Sequence, residues 1–213
     1  REGIEELAYL DQLTGLANRW SFETWARAKL EELDQTHSNT VTALVFLDID
    51  NFKHINDNYG HDVGDRVLKH FATRLKNNIR NKDRKTDKHD YSIARFAGDE
   101  FVLMLYDVRC KKDLDTIMDR IVNLFKTGYQ SEDTINELTM SIGVAIYHQD
   151  ANDLSELTRC ADKAMYAAKH TGKNQYAYYE HCSHAEELRH QRHSLVGAMG
   201  SENVTSLQRD ASL

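Results

Sequence analysis

Two short acidic stretches hold the residues best suited to chemistry. Asp48 and Asp50 close the apolar run VTALVFLDID (Val41 to Asp50), and Asp99 and Glu100 lie in the tip Ala97-Gly98-Asp99-Glu100-Phe101, between the apolar runs SIARF and FVLMLY. Both settings read as strand ends. Side chains two apart on a strand face one way, so Asp48 and Asp50 should point together. If the strands are neighbours in one sheet, three or four carboxylates converge at its edge. Such a cluster is unfavourable unless a cation holds it, most simply Mg²⁺, with Mn²⁺ as a substitute. The plainer alternatives are aspartates that end a strand in solvent and a Gly-Asp pair that suits a tight turn. Against these stands Phe101, an apolar residue that follows Glu100 at once and would fix the direction of the acidic pair.

Further polar groups cluster after these stretches in the sequence. Backbone N–H groups in the turn at Asn51–Lys53 could cradle phosphate oxygens, and Lys53 could neutralise them. Lys169 and Lys173 end the last predicted helix, where a cation also suits the helix dipole with no ligand at all. Asn56 and Asp65 offer an amide and a carboxylate, and a carboxylate can accept from the N1–H and 2-amino group of guanine. Asp65 could equally be a helix cap.

These groups need elements to hold them. Val41 to Leu47 is apolar on both faces, as in a central, doubly covered strand. Ile93 to Phe96 and Phe101 to Tyr106 read as hairpin arms, Leu138 to Tyr147 alternates as a strand, and Gln175 to Tyr179 is a last short one. Helices are predicted from a Ser21 cap to about Leu33, around Phe52 to Tyr59, from Asp62 or Asp65 to about Ile79, from Asp113 to about Lys126 with a stop at Gly128, and from an Asn152 or Asp153 cap to Lys169. The sum is an α+β fold, a mixed five-stranded sheet flanked by helices. Residues 1–10 place Ile4, Leu7 and Ala8 at helical spacing, as in the end of a connecting helix from an upstream module. The chain lacks an initiator Met and reads as a piece of something longer. Residues 11–180 form the domain, and 181–213 read as a tail or spacer.

Composition bounds the function. The chain has 213 residues, 40% of them hydrophobic, and a net charge of −7. An acidic chain with pI near 5.9 argues against nucleic-acid binding through a basic face. No apolar run is long enough to span a bilayer, so the domain itself is expected to make no membrane contact. Cys110, Cys160 and Cys182 are far apart with no CxxC, which suits free thiols in a reducing compartment. The tail string HCSHAEELRHQRH lacks matched spacing for zinc and reads as solvated.

Five strings in order, DQLTGLANR, FLDIDNFKHINDNYGHDVGD, RFAGDEF, LTMSIGVA and ADKAMYAAKHTGKN, resemble the motifs of the GGDEF family of diguanylate cyclases. Together they reach across about residues 11–179. The resemblance implies a mainly antiparallel sheet with a ferredoxin-like core, akin to polymerase palms and nucleotide cyclases. It implies Mg²⁺ on Asp48, the carbonyl of Ile49 and Asp99, with Asp99 and Glu100 as catalytic groups that help deprotonate a 3′-hydroxyl. It implies GTP contacts at Phe52, Lys53, Asn56, His61, Asp65, Gly98, Lys169 and Lys173. It implies condensation of two GTP into cyclic di-GMP and two pyrophosphates across a homodimer, an upstream sensory or receiver domain coupled through DQLTGLANR, and a cytoplasmic setting, with a parent protein that can be membrane-anchored.

The sequence departs from the family pattern in two places. The signature opens with Ala97 in place of Gly, which fits if the residue keeps a negative φ. This is the one feature favouring a degenerate module that binds GTP or cyclic di-GMP without turnover. The Arg-x-x-Asp of the family's inhibitory site is spelled by Arg80–Asp83 and again by Arg84–Asp87, both farther upstream than usual. Arg80–Asp83 lies where the motif falls when counted from the preceding helix, in a run so charged that the pattern also arises by chance.

Overall fold

The strand that is apolar on both faces becomes the middle of the sheet. β1 (Val41–Ile49) lies between β3 (Glu100–Val108) and β4 (Met140–Ile146), antiparallel to both. β2 (Ile93–Ala97) pairs antiparallel with β3, and β5 (Gln175–Tyr178) pairs parallel with β4. The five-stranded order is β2-β3-β1-β4-β5. The structure is a computed structural model, and it describes residues 8–79, 89–125 and 138–182.

Alternation along β1 divides the core. Ala43, Val45, Leu47 and Ile49 face Val67, Leu68 and Phe71 of α3 (His61–Asn78) and Leu114 and Met118 of α4 (Lys111–Val122). Ile55 of α2 (Phe52–Tyr59) joins them. Leu44 and Phe46 face the opposite way, onto Phe22, Ala26 and Leu30 of α1 (Arg19–Thr36) and Leu157, Ala161 and Met165 of α5 (Leu154–His170). The mixed sheet with helices on both faces is what the patterning predicted, and its mainly antiparallel pairing is what the resemblance implied. Each fully buried large side chain, such as Phe22, Phe71 or Phe101, contributes roughly 1.5–3 kcal/mol.

α5 packs unusually close to the sheet. A Cβ on Gly143 of β4 would lie 2.0 Å from the carbonyl oxygen of Ala161 and 2.2 Å from the nitrogen of Met165. Only glycine permits that approach, and it holds α5 over the end of β1.

Several boundaries differ from the sequence expectation. Asn18, not Ser21, caps α1: its side chain accepts from the Ser21 N–H at 3.0 Å, while the Ser21 hydroxyl donates to the Tyr9 carbonyl at 2.6 Å. α3 begins directly after Gly60, so Asp62 falls in its first turn and Asp65 beyond it, and neither is the cap. α4 starts two residues earlier than expected and ends at Val122. Asp153 does cap α5, accepting from the Glu156 N–H at 2.8 Å. Arg80–Asp83, Arg84–Asp87, Gly128 and all of the histidine-rich tail string after Cys182 lie outside the described residues. Among the described residues no helix is long and apolar enough to cross a membrane.

Candidate functional site

The β1–β3 register places Asp48 directly opposite Glu100, so the two acidic stretches meet. Between β2 and β3 the chain turns through Gly98 and Asp99, with Gly98 at φ 47°. Space around Gly98 is open, so what it supplies is the left-handed conformation, which costs other residues roughly 1–2 kcal/mol. Ala97 beside it is exposed and is not among the residues with positive φ. An exposed alanine outside the left-handed region is compatible with this turn.

Asp48 is 7% exposed. Its Oδ2 accepts from the Lys169 ammonium of α5, and its Oδ1 is buried with no hydrogen-bond partner. Burial first, and the adjoining Asp99 carboxyl second, push the Asp48 pKa up to about 7, against the pull of Lys169. Glu100 is also raised, by burial, then by Asp48 and Asp162, while Lys169 and Arg19 oppose. Asp162 of α5 is raised by burial and by Asp48. The acidic group is thus Asp48, Asp99, Glu100 and Asp162, around one ammonium.

Asp50 does not join it. The chain leaves the sheet after Ile49, and Asp50, 4% exposed, is turned into a latch. Its Oδ1 accepts from the Ser141 hydroxyl at 2.6 Å, and its Oδ2 from the Thr139 hydroxyl at 2.7 Å and the Asn174 N–H at 2.9 Å. The expectation that Asp48 and Asp50 act together is corrected by this commitment. The latch also ties the β5 approach to the end of β1. There Lys173, at φ 60°, donates to the Asn51 side chain at 2.7 Å.

The remaining predicted residues sit on the two helices that follow β1. Phe52 and Lys53 open α2, Phe52 half-buried and Lys53 exposed, after Asn51 in the left-handed region. Asn56 of α2 lies against Gly64 of α3, where a Cβ would come within 1.8 Å of its Oδ1. Asp65 is the next residue, exposed, and His61 is exposed at the start of α3. Lys169, expected near terminal phosphates, instead rests on Asp48. Asp162 escaped the sequence reading, although it precedes Lys169 by seven residues, two helical turns on one face.

The family described as "Diguanylate cyclase, GGDEF domain" matches residues 8–175. The chain belongs to the GGDEF family. This GGDEF domain is 38% identical over 175 residues to the biofilm architecture maintenance protein MbaA of Vibrio cholerae, covering 81% of this chain and 22% of MbaA. It is 38% identical over 170 residues to the diguanylate cyclase DgcN of Escherichia coli, covering 75% of this chain and 36% of DgcN. The solved GGDEF domain of TpbB (YfiN) from Pseudomonas aeruginosa superposes with a TM-score of 0.71 at 31% identity, over 80% of this chain and 94% of that one. The chain spans about a fifth to a quarter of the length of the first curated relatives it matches.

Proposed function

We propose that this GGDEF domain is a diguanylate cyclase that joins two GTP into cyclic di-GMP. The observation that carries this reading is Asp48, buried opposite Glu100 with one carboxylate oxygen left without a partner. That oxygen, Asp99 beside it and the Ile49 carbonyl suit Mg²⁺, which commonly takes one or two carboxylates and completes its shell with water and substrate phosphate. Among the described residues no group of three His, Cys, Asp or Glu side chains is placed to hold a metal ion. When bound, Mg²⁺ would stabilise negative charge on the attacking oxygen and the departing pyrophosphate.

The chain's own residues supply the remainder. The N–H groups at Phe52 and Lys53 and the Lys53 ammonium face phosphate oxygens. Asn56 and Asp65 read the guanine edge, with His61 and Gly98 close to the nucleotide. Lys169 and Lys173 draw the terminal phosphates, and Lys169 exchanges Asp48 for phosphate as it does so. Glu100, with Asp99, accepts the proton of the 3′-hydroxyl, and burial, which raises the Glu100 pKa, favours the protonated form it then takes.

One domain holds one GTP, so turnover requires two domains face to face. Residues 11–180 are the catalytic unit, 181–213 a spacer, and an upstream sensory or receiver module sets the pairing. GTP as substrate places the domain in the cytoplasm. The test is product formation from GTP and Mg²⁺ as a function of protein concentration. Cyclic di-GMP should appear with a specific rate that climbs with concentration. GTP binding without product would leave only a nucleotide-binding module, and a preference for ATP would overturn the base assignment.

A further inference from the structure

Asp50 is buried beside the site, and the function proposed above gives it no part. Its Oδ1 takes the Ser141 hydroxyl, and its Oδ2 takes the Thr139 hydroxyl and the Asn174 N–H. Its own N–H donates to the Thr139 carbonyl at 2.9 Å. Two of these partners belong to the sheet, since Ser141 lies in β4 and Thr139 leads into it. The third does not. Asn174 lies between α5 and β5, 124 residues along the chain. The carboxylate is thus fixed by β4, and it fixes in turn the segment that carries Lys173.

That segment is strained. Gly172, Lys173 and Asn174 all have positive φ, at 132°, 60° and 48°. Two of them are not glycine, and left-handed backbone is unfavourable for such residues unless the surroundings hold it. The Lys173 N–H donates to the Ala168 carbonyl at 3.0 Å, closing the end of α5, and Gln175 pairs with Ser141 as β5 begins. Asn174 lies between these two anchors, and its N–H goes to Asp50. On the other side of Asp50, Asn51 is also left-handed, at φ 57°, and opens α2. Lys173 Nζ donates to Asn51 Oδ1 at 2.7 Å. Both of these side chains are exposed, so water competes for that bond and the buried contacts of Asp50 set the spacing.

We propose that Asp50 is a positioning residue for the triphosphate: it holds Lys173 at a fixed distance from the Asn51–Lys53 turn and so makes the site favour a nucleoside triphosphate over the monophosphate. The proposal rests on the reading of the domain as a GTP site. Asp50 itself touches no substrate atom. It acts through the Asn174 N–H that it accepts, and so through the backbone of Lys173. An ammonium placed in advance loses less freedom on binding than one on an untethered loop. The gain falls on the terminal phosphates and on no other part of the nucleotide.

The test is calorimetric titration, with Mg²⁺ present, of 3′-deoxy-GTP, which lacks the attacking hydroxyl and so is not consumed, and of GMP, which lacks the terminal phosphates. Asp50→Ala should weaken 3′-deoxy-GTP binding roughly 10- to 100-fold, the scale of one charged hydrogen bond, and leave GMP at the wild-type value. Lys173→Ala should do the same, and adding Asp50→Ala to it should weaken binding no further, because one residue acts through the other. Asp50→Asn should restore most of the affinity, since its amide oxygen can still accept from Asn174 while its NH₂ group donates to the Ser141 hydroxyl. Thr139→Val removes one anchor of the same oxygen with little change of shape. It should give a smaller loss confined to 3′-deoxy-GTP, and it decides the matter where Asp50→Ala does not fold. Equal losses for 3′-deoxy-GTP and GMP, or additive losses in the double variant, overturn the assignment and leave Asp50 a structural bond alone. Unchanged 3′-deoxy-GTP affinity in folded Asp50→Ala, or in Thr139→Val where Asp50→Ala does not fold, overturns it as well. A wild-type domain that binds neither nucleotide overturns the underlying reading, and this inference with it.

Discussion

Arg95 of β2 reaches Asp11, 84 residues earlier, and its Nη1 donates to both carboxylate oxygens at 3.1 and 3.2 Å. The same guanidinium donates from Nε to the Gly98 carbonyl at 2.7 Å. Asp11 in turn accepts from the Thr14 N–H at 2.9 Å and the Thr14 hydroxyl at 2.7 Å. One side chain therefore ties the opening turn of the domain to the acidic tip. The pair is mostly shielded, with 16% and 19% of the two side chains exposed, so solvent screens it less than a surface pair.

Arg95→Ala should loosen the tip while Asp11 keeps its local bonds. Stability should drop by about 1.5–3 kcal/mol, the scale of hydrogen bonds to a charged group. Cyclic di-GMP formation should drop further than the loss of folded protein explains. Arg95→Lys keeps the charge without the fork and should restore stability better than turnover. Urea unfolding and product assays on both variants check this.

Asp48 supplies a pH prediction. Its pKa is raised from the usual value of 3.8 to about 7, so the folded state holds this proton more tightly than the unfolded chain. Its contribution favours folding at low pH and is lost as pH climbs from about 4 through 7. Asp48→Asn removes that loss. The metal-free variant should melt above wild type at pH 8, by a few degrees on a scale of roughly 2–4 °C per kcal/mol, and the gap should close toward pH 5. Mg²⁺ should raise the wild-type midpoint at pH 8 and leave the variant unmoved. Thermal melts with and without Mg²⁺ at both pH values decide it.

Two glycines make close approaches with different consequences. At Gly143 a new Cβ would meet backbone atoms of α5 at 2.0 and 2.2 Å, and backbone cannot step aside. Gly143→Ala should cost about 1–3 kcal/mol or more as an overpacked core. At Gly64 the Cβ would meet the tip of the Asn56 side chain at 1.8 Å, which can rotate. Gly64→Ala should stay folded yet weaken GTP binding, because Asn56 is displaced from the base. Calorimetric GTP titration beside thermal unfolding separates the two outcomes.

A polar cluster lies near the C-terminal end of α1. Tyr147 donates to Asp34 Oδ2 at 2.7 Å, His148 Nε2 lies 2.8 Å from Asp34 Oδ1, and His148 Nδ1 lies 3.0 Å from Asn152 Oδ1. With an acceptor at each ring nitrogen, led by Asn152 and then Asp34, the His148 pKa is raised from 6.5. The Tyr147 hydrogen bond leads in lowering that of Asp34. The histidine's contribution is complete below pH 6.5 and fades as pH rises through the raised pKa, and that of Asp34 fades as pH falls below about 4. The pair is exposed, so its whole effect is at most about 1 kcal/mol. NMR titration should find His148 above 6.5, and Asp34→Asn should lower it.

Much of this molecule is legible in its sequence. The double-sided apolarity of Val41 to Leu47 marked the central strand, because a strand covered on both faces cannot alternate. The strands, their bounding turns and the acidic tip follow from local periodicity. Helix ends were less legible. Asn18 and Ser21 are both good caps, and only the Ser21 hydroxyl's engagement with Tyr9 decided between them.

What the sequence determined by itself is the set of elements and the residue types at their ends, since both reflect interactions within a few residues. The tertiary structure decided which of those residues meet. Lys169 rests on Asp48 across 121 residues, Glu100 faces Asp48 through strand register, Asp162 enters the acidic group from α5, and Asp50 leaves it for Thr139, Ser141 and Asn174. These pairings depend on strand order and on how closely α5 approaches Gly143. Both are properties of the whole sheet, and no window along the chain contains them.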